Sequence, residues 1–108
     1  MKQDGTGNYI VSPGEDVSIV VKPVGVGAFI AVAENGNPVP PGKPPVTFTF
    51  TISKKVHFAK VACQFMGDEA NTAQYKVTIK GSKGGSFDKR PIKKTDPVTE
   101  RVWTFMQA

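Results

Sequence analysis

Val46-Thr47-Phe48-Thr49-Phe50-Thr51-Ile52-Ser53 alternates apolar and hydroxylated side chains without a break. Successive side chains of a strand point to opposite faces, so this period of two predicts a strand. Val46, Phe48, Phe50 and Ile52 should enter a core, while Thr47, Thr49, Thr51 and Ser53 face water or a ligand.

The same pattern recurs on both sides. Downstream, the Lys54-Lys55 turn reverses the chain into Val56 to Met66, where Ala59, Val61, Cys63 and Phe65 share one phase. Tyr75, Val77 and Ile79 then alternate with Lys76, Thr78 and Lys80, and Gly81 to Ser86 is turn chemistry throughout. The next twenty or so residues are weakly patterned, longer than loops of compact domains usually run, so a short extra strand is expected at Ser86 to Asp88. Arg101 to Met106, with Trp103 and Phe105 in phase, reads as a central closing strand.

Upstream, Tyr9-Ile10-Val11 reads as an edge strand that ends at the turn Ser12-Pro13-Gly14-Glu15, and Val17, Ile19 and Val21 form one face of the next strand. Gly27 to Ala33 is apolar in both phases, which predicts a mid-sheet strand or, through one phase, a subunit interface. Asn35-Gly36 has the composition of a type I′ turn. Pro38, Pro40, Pro41, Pro44 and Pro45 lack the amide hydrogen that a ladder needs, so this turn is expected to open a stiff crossover loop. Residues 1–8, polar and glycine-punctuated, are expected to be frayed or left over from cloning, with a single domain over 9–108.

Composition supports an all-β reading of the 108 residues. Leucine is absent, valine and threonine are plentiful, and 11 Gly and 9 Pro suit many short strands joined by tight turns. One cysteine excludes an intrachain disulfide, and no apolar run is long enough to read as a membrane helix. The net charge of +5 is unevenly placed: residues 54–108 carry eleven basic groups against five acidic ones. Such a field suits a polyanion or merely keeps the chain in solution.

Asp68-Glu69-Ala70-Asn71-Thr72-Ala73-Gln74-Tyr75-Lys76-Val77 resembles the loop-to-strand passage of immunoglobulin-like and fibronectin-like sandwiches. That resemblance implies that Tyr75 bonds back to the preceding loop, as the tyrosine corner does. The expected fold is therefore an antiparallel two-sheet β-sandwich of seven or eight strands, immunoglobulin-like, with a jelly roll as the alternative.

The residues able to carry chemistry are few. His57 is the only histidine and is expected at a surface or edge; six strand positions from Cys63, it would lie about 20 Å from that thiol. Cys63 reads as a small buried hydrophobe. Asp68, Glu69 and Asn71 offer oxygen ligands without the spacing of a dedicated calcium loop, and the glycines at 81–85 lack the lysine and helix start of a phosphate cradle. No catalytic residue, metal or cofactor is expected.

The densest basic feature is Lys89-Arg90-Pro91-Ile92-Lys93-Lys94, with Lys83 upstream and Phe87 beside it. If Phe87 or Trp103 is exposed, an aromatic platform beside these cations would suit a base or a sugar ring. The ligand-binding candidates are accordingly Lys83, Phe87, Lys89, Arg90, Lys93 and Lys94. The chain is expected to be a noncatalytic module that binds a glycan or protein at loops or an exposed sheet face, in a secreted or periplasmic setting. Two alternatives are an electrostatic binder of nucleic acid or acidic polysaccharide through residues 80–94, and a subunit that self-associates through Ala28–Ala33.

Overall fold

A computed structural model describes residues 1–24, 30–42, 45–65 and 71–108, with backbone alone for 39–42. Ten strands and no helix occur among the described residues: β1 (Lys2–Gln3), β2 (Tyr9–Val11), β3 (Asp16–Val24), β4 (Ile30–Glu34), β5 (Asn37–Gly42), β6 (Val46–Thr51), β7 (Val56–Cys63), β8 (Gln74–Gly81), β9 (Ser86–Lys93) and β10 (Glu100–Gln107). They form a six-stranded sheet of order β1-β2-β10-β7-β4-β5 and a four-stranded sheet of order β6-β3-β8-β9. The two sheets pack face to face over one core, an arrangement compatible with a β-sandwich. No described helix is long and apolar enough to cross a membrane.

The inward phase of each strand is the apolar one. Val17, Ile19 and Val21 of β3 face Ile30 and Val32 of β4 and Ala59 and Val61 of β7 across the core. Aromatic rings bridge the layers: Phe105 of β10 stacks on Tyr9 at 5.2 Å and meets Phe50 of β6 edge-on at 5.3 Å. Trp103 is part of this core, 8% exposed, and β10 is central, between β2 and β7.

Five expectations need correction. Tyr9–Val11 is not an edge strand, since β2 lies between β1 and β10. The strand count is ten, not seven or eight, because β1 and β5 add to those legible in the sequence. The sheets are not wholly antiparallel, since β2 runs parallel to β10. No crossover loop follows Asn35-Gly36: both residues take positive φ, 49° and 81°, and the two-residue turn returns the chain as β5, which pairs with β4. Proline is tolerated there because β5 is a sheet edge with one side free of ladder bonds. Finally, β9 runs eight residues, so most of the basic cluster lies on a strand rather than in a loop.

Within β9 the register slips. Val77 pairs with Lys89 and Tyr75 with Ile92, so Arg90 and Pro91 both stand opposite Lys76. This is a β-bulge with one extra residue, again on an edge strand. The opening residues of the chain form a short arm, Lys2 and Gln3 pairing with Ile10 and Tyr9. The Tyr75 hydroxyl donates to the Gln64 carbonyl at 3.2 Å, just beyond the end of β7.

Candidate binding site

Pleating leaves each sheet one outward phase, and the two differ in chemistry. On the four-stranded sheet the rows follow from the ladder: Thr51 beside Asp16; Thr49, Ser18, Lys80 and Ser86; Thr47, Val20, Thr78 and Asp88; then Lys22 and Lys76. Thr47, Thr49, Thr51 and Ser53 are all exposed, so the row that defines the fold borders an open hydroxyl-lined face. Hydroxyls here bond one another and the carboxylates. Ser18 and Thr49 lie 2.9 Å apart, Thr51 donates to Asp16 at 2.6 Å, and Thr78 donates to Asp88 at 2.9 Å.

The lysines of this face are differently placed. Lys22 and Lys76 are direct cross-strand partners, and neither forms an ion pair among the described residues. Like charges opposite one another on neighbouring strands are unfavourable. Lys80 shares their phase, about 13 Å along β8 from Lys76 at the strand rise. The bulge adds two more cations, because it leaves exposed Arg90 opposite Lys76 while Lys93 pairs with Gln74. Lys93 also borders a depression of about 380 Å³ with Asn71, Thr72, Gln74 and Thr95.

Arg90 is only loosely held. Its side chain is 69% exposed, and its guanidinium lies 3.8 Å from Asp96, which is engaged more closely by Arg101 at 3.0 Å. The Lys93 amide donates to the Asp96 carboxylate at 2.9 Å. The hydrogen bond to the Lys93 backbone is the largest influence on this carboxyl, and with Arg101 and Arg90 it outweighs desolvation and holds the group below its ordinary range.

The sequence candidates therefore separate. Arg90 and Lys93 lie on the open face. Phe87 is half-buried and turned inward, 5.4 Å from the Tyr9 ring, and Lys89 sets its ammonium 5.2 Å over that same ring. With Trp103 also inside, no platform forms from Phe87 and Trp103 beside the cations. Lys83 sits in the β8–β9 turn and donates to the Pro13 carbonyl at 3.1 Å. Lys94 follows β9, its amide donating to the Ala73 carbonyl. Asp68 and Glu69 lie outside the described residues, whereas Asn71 is exposed. Among the described residues no cluster of His, Cys, Asp and Glu could hold a metal.

Among the described residues two polar side chains are buried, Glu15 and His57, and each locks a place where the chain changes sheets. His57 is 1% exposed, contrary to the expectation of a surface residue, because it shares the inward phase of Ala59, Val61 and Cys63. Its Nε2 accepts from the Ser53 and Lys54 amides, both at 3.1 Å, which fixes the β6–β7 turn. The proton then resides on Nδ1, 3.2 Å from Glu34 Oε1, and the ring stacks on Phe50 at 5.6 Å.

Glu15 does the same between β2 and β3. Its carboxylate accepts from the Ser12 amide at 3.0 Å and the Lys83 amide at 3.2 Å, with the Met1 ammonium at 3.1 Å. Burial pushes its pKa up, but these donors win and the net shift is downward. Gly81 is required beside it, since a Cβ there would collide with the Glu15 carboxylate and the Gly84 carbonyl. Cys63 is buried, and that burial pushes its thiol up to about 12 against the lowering influence of Arg101. A thiol so placed is a poor nucleophile at neutral pH.

Fold and site together define a two-sheet all-β protein with a cationic, hydroxyl-lined open face. Comparison with protein-family models, with curated proteins and with solved structures gives no match for the chain.

Proposed function

We propose that the protein is a noncatalytic binding module that holds an acidic glycan on the outer face of the four-stranded sheet. The observation that carries this reading is the Lys22–Lys76 pair, two cations opposite one another with no carboxylate partner among the described residues. A carboxylated or sulfated polymer would supply the missing counter-charge. Arg90, Lys93 and Lys80 extend the field, Thr47 offers its hydroxyl to sugar oxygens, and the Thr78 hydroxyl, donating to Asp88, can accept from a sugar hydroxyl.

A polysaccharide suits the face better than a nucleic acid does. Its described outward residues on β3, β6, β8 and β9 include no aromatic ring on which a base could stack. The noncatalytic part of the reading rests on His57 and Cys63, the first committed to two turn amides and the second buried. The Tyr75 bond to Gln64 supports an immunoglobulin-like form of the sandwich, a fold in keeping with a secreted binding module.

The test is retention of the full chain on immobilised heparin and on a polyuronate gel, eluted with rising salt. Wild type is expected to bind both, and the Lys22→Gln, Lys76→Gln double variant to elute at markedly lower salt. Equal elution of wild type and double variant, or stronger retention on single-stranded DNA than on either polysaccharide, overturns the reading.

A further inference from the structure

The outer face of the six-stranded sheet is apolar where its counterpart is cationic. Of the five exposed large hydrophobic residues among those described, three lie on it: Phe58 at 49%, Val102 at 59% and Val56 at 38%. The ladder places Val102 beside Lys60 and Thr104 beside Phe58, so the apolar side chains form a ridge on β7 and β10. Across β7, on the β4 side, the face drops to a groove of about 290 Å³ floored by Ala31, Ala33 and Ala62 and walled by Pro38. Lys60 and Glu100, 3.4 Å apart and each about half exposed, line the groove on its β7–β10 side. Around ridge and groove the charge is balanced, Lys60 against Glu100, with Lys2 farther out on β1, in a chain of net charge +5.

We propose that this face binds a second copy of the same chain in an isologous dimer whose two-fold axis runs along β7. Such an axis carries β10 of one copy over β4 of the other, because β10 and β4 flank β7 on opposite sides. Val102 then enters the partner's alanine groove, and the Phe58 rings meet at the axis. Lys60, close to the axis, lies between its own Glu100 and the Glu100 of the partner subunit, so the four charges alternate. Ridge and groove on one surface, with a self-compensating ion pair lining the groove, are complementary to their own copy.

The sheet's edges make the face, rather than strand addition, the place of association. One edge strand, β1, is two residues long, and the other, β5, contains Pro38, Pro40 and Pro41. The dimer does not depend on the glycan reading, since it uses the opposite side of the sandwich.

Sedimentation equilibrium of the full chain over a range of concentrations tests it. Wild type is expected to show a monomer–dimer equilibrium, and Val102→Asp to weaken it at least tenfold without unfolding, because Val102 is exposed. Lys60→Glu should weaken it likewise, by setting four carboxylates at the axis, and Lys60→Glu combined with Glu100→Lys should restore it. A monomer at every concentration up to about 1 mM, where an association worth roughly 4 kcal/mol would show, overturns the proposal. So does a dimer indifferent to Val102→Asp, or one that the charge swap fails to restore.

Discussion

The two outer faces of the sandwich are made by the same pleat and have opposite chemistry. On β3, β6 and β8 the outward phase is mostly threonine, serine and lysine, with Asp16, Val20, Val24 and Gln74 among them; on β4, β7 and β10 it is mostly alanine, phenylalanine and valine, with Thr104, Met106 and one ion pair. The inward phases are alike, largely apolar and mutually packed, with His57 the buried polar exception on β7. What separates the faces is therefore independent of what folds the chain, and each outward set is free to serve a partner. As proposed, the polar face would serve a charged polymer and the apolar one a packed surface.

That independence can be broken experimentally. The largest effect should come from an inward residue: Phe105→Ala, which removes a ring packed on Tyr9 and Phe50, is expected to cost about 3–5 kcal/mol in chemical denaturation. An equally large loss from an outward residue would mean that the faces are not separable from the core. Next come the corners that join the sheets. His57→Ala leaves two turn amides without their acceptor and should cost about 1–3 kcal/mol.

Glu15 adds a pH dependence. Its folded pKa is lowered, so its contribution is fully present above the unfolded value near 4.5 and is lost as pH falls through the folded one. Melting temperature should accordingly decline below about pH 4.5, and Glu15→Gln should be less stable at pH 7 with a flatter acid limb. An unchanged acid limb in that variant would show that the β2–β3 corner is not held by the charge.

Lys76→Glu is expected to do two things at once. It relieves the repulsion with Lys22 and should stabilise the free protein by about 0.2–1 kcal/mol, while it lowers polysaccharide retention and leaves the dimer intact. The smallest effect belongs to Val102→Ala, within about 0.5 kcal/mol for the monomer in dilute solution. Its influence should appear only in sedimentation, the mirror image of Lys76→Glu.

Much of the architecture was legible because alternation is local. β6, β7, β8 and β10 are readable residue by residue, and so was the burial of Cys63, whereas Trp103 is open to a core or an outer reading until β10 is placed between β2 and β7. β5 escaped because prolines argue against a strand unless its edge position is known, and that position is set by pairing with β4. The site was less legible for the same reason. Lys22 and Lys76 are 54 positions apart and become neighbours only through the register of β3 on β8. Conversely, Lys89 and Arg90 are adjacent in sequence yet face opposite sides of one strand. For His57 the signal was available: it shares the phase of Ala59 and Val61, and phase outranked polarity.

The bulge in β9 has a consequence for how this chain can vary. With Arg90 and Pro91 both opposite Lys76, deletion of Pro91 alone would leave Val77 opposite Lys89, Lys76 opposite Arg90 and Tyr75 opposite Ile92, an unbroken ladder. Every inward side chain would keep its side, so the shortened chain could still fold. The free edge of the four-stranded sheet would, however, become straight and fully able to donate along its length, a template for adding further chains. Loss of one proline would then tell against solubility on storage, with little sign of it in the melting temperature.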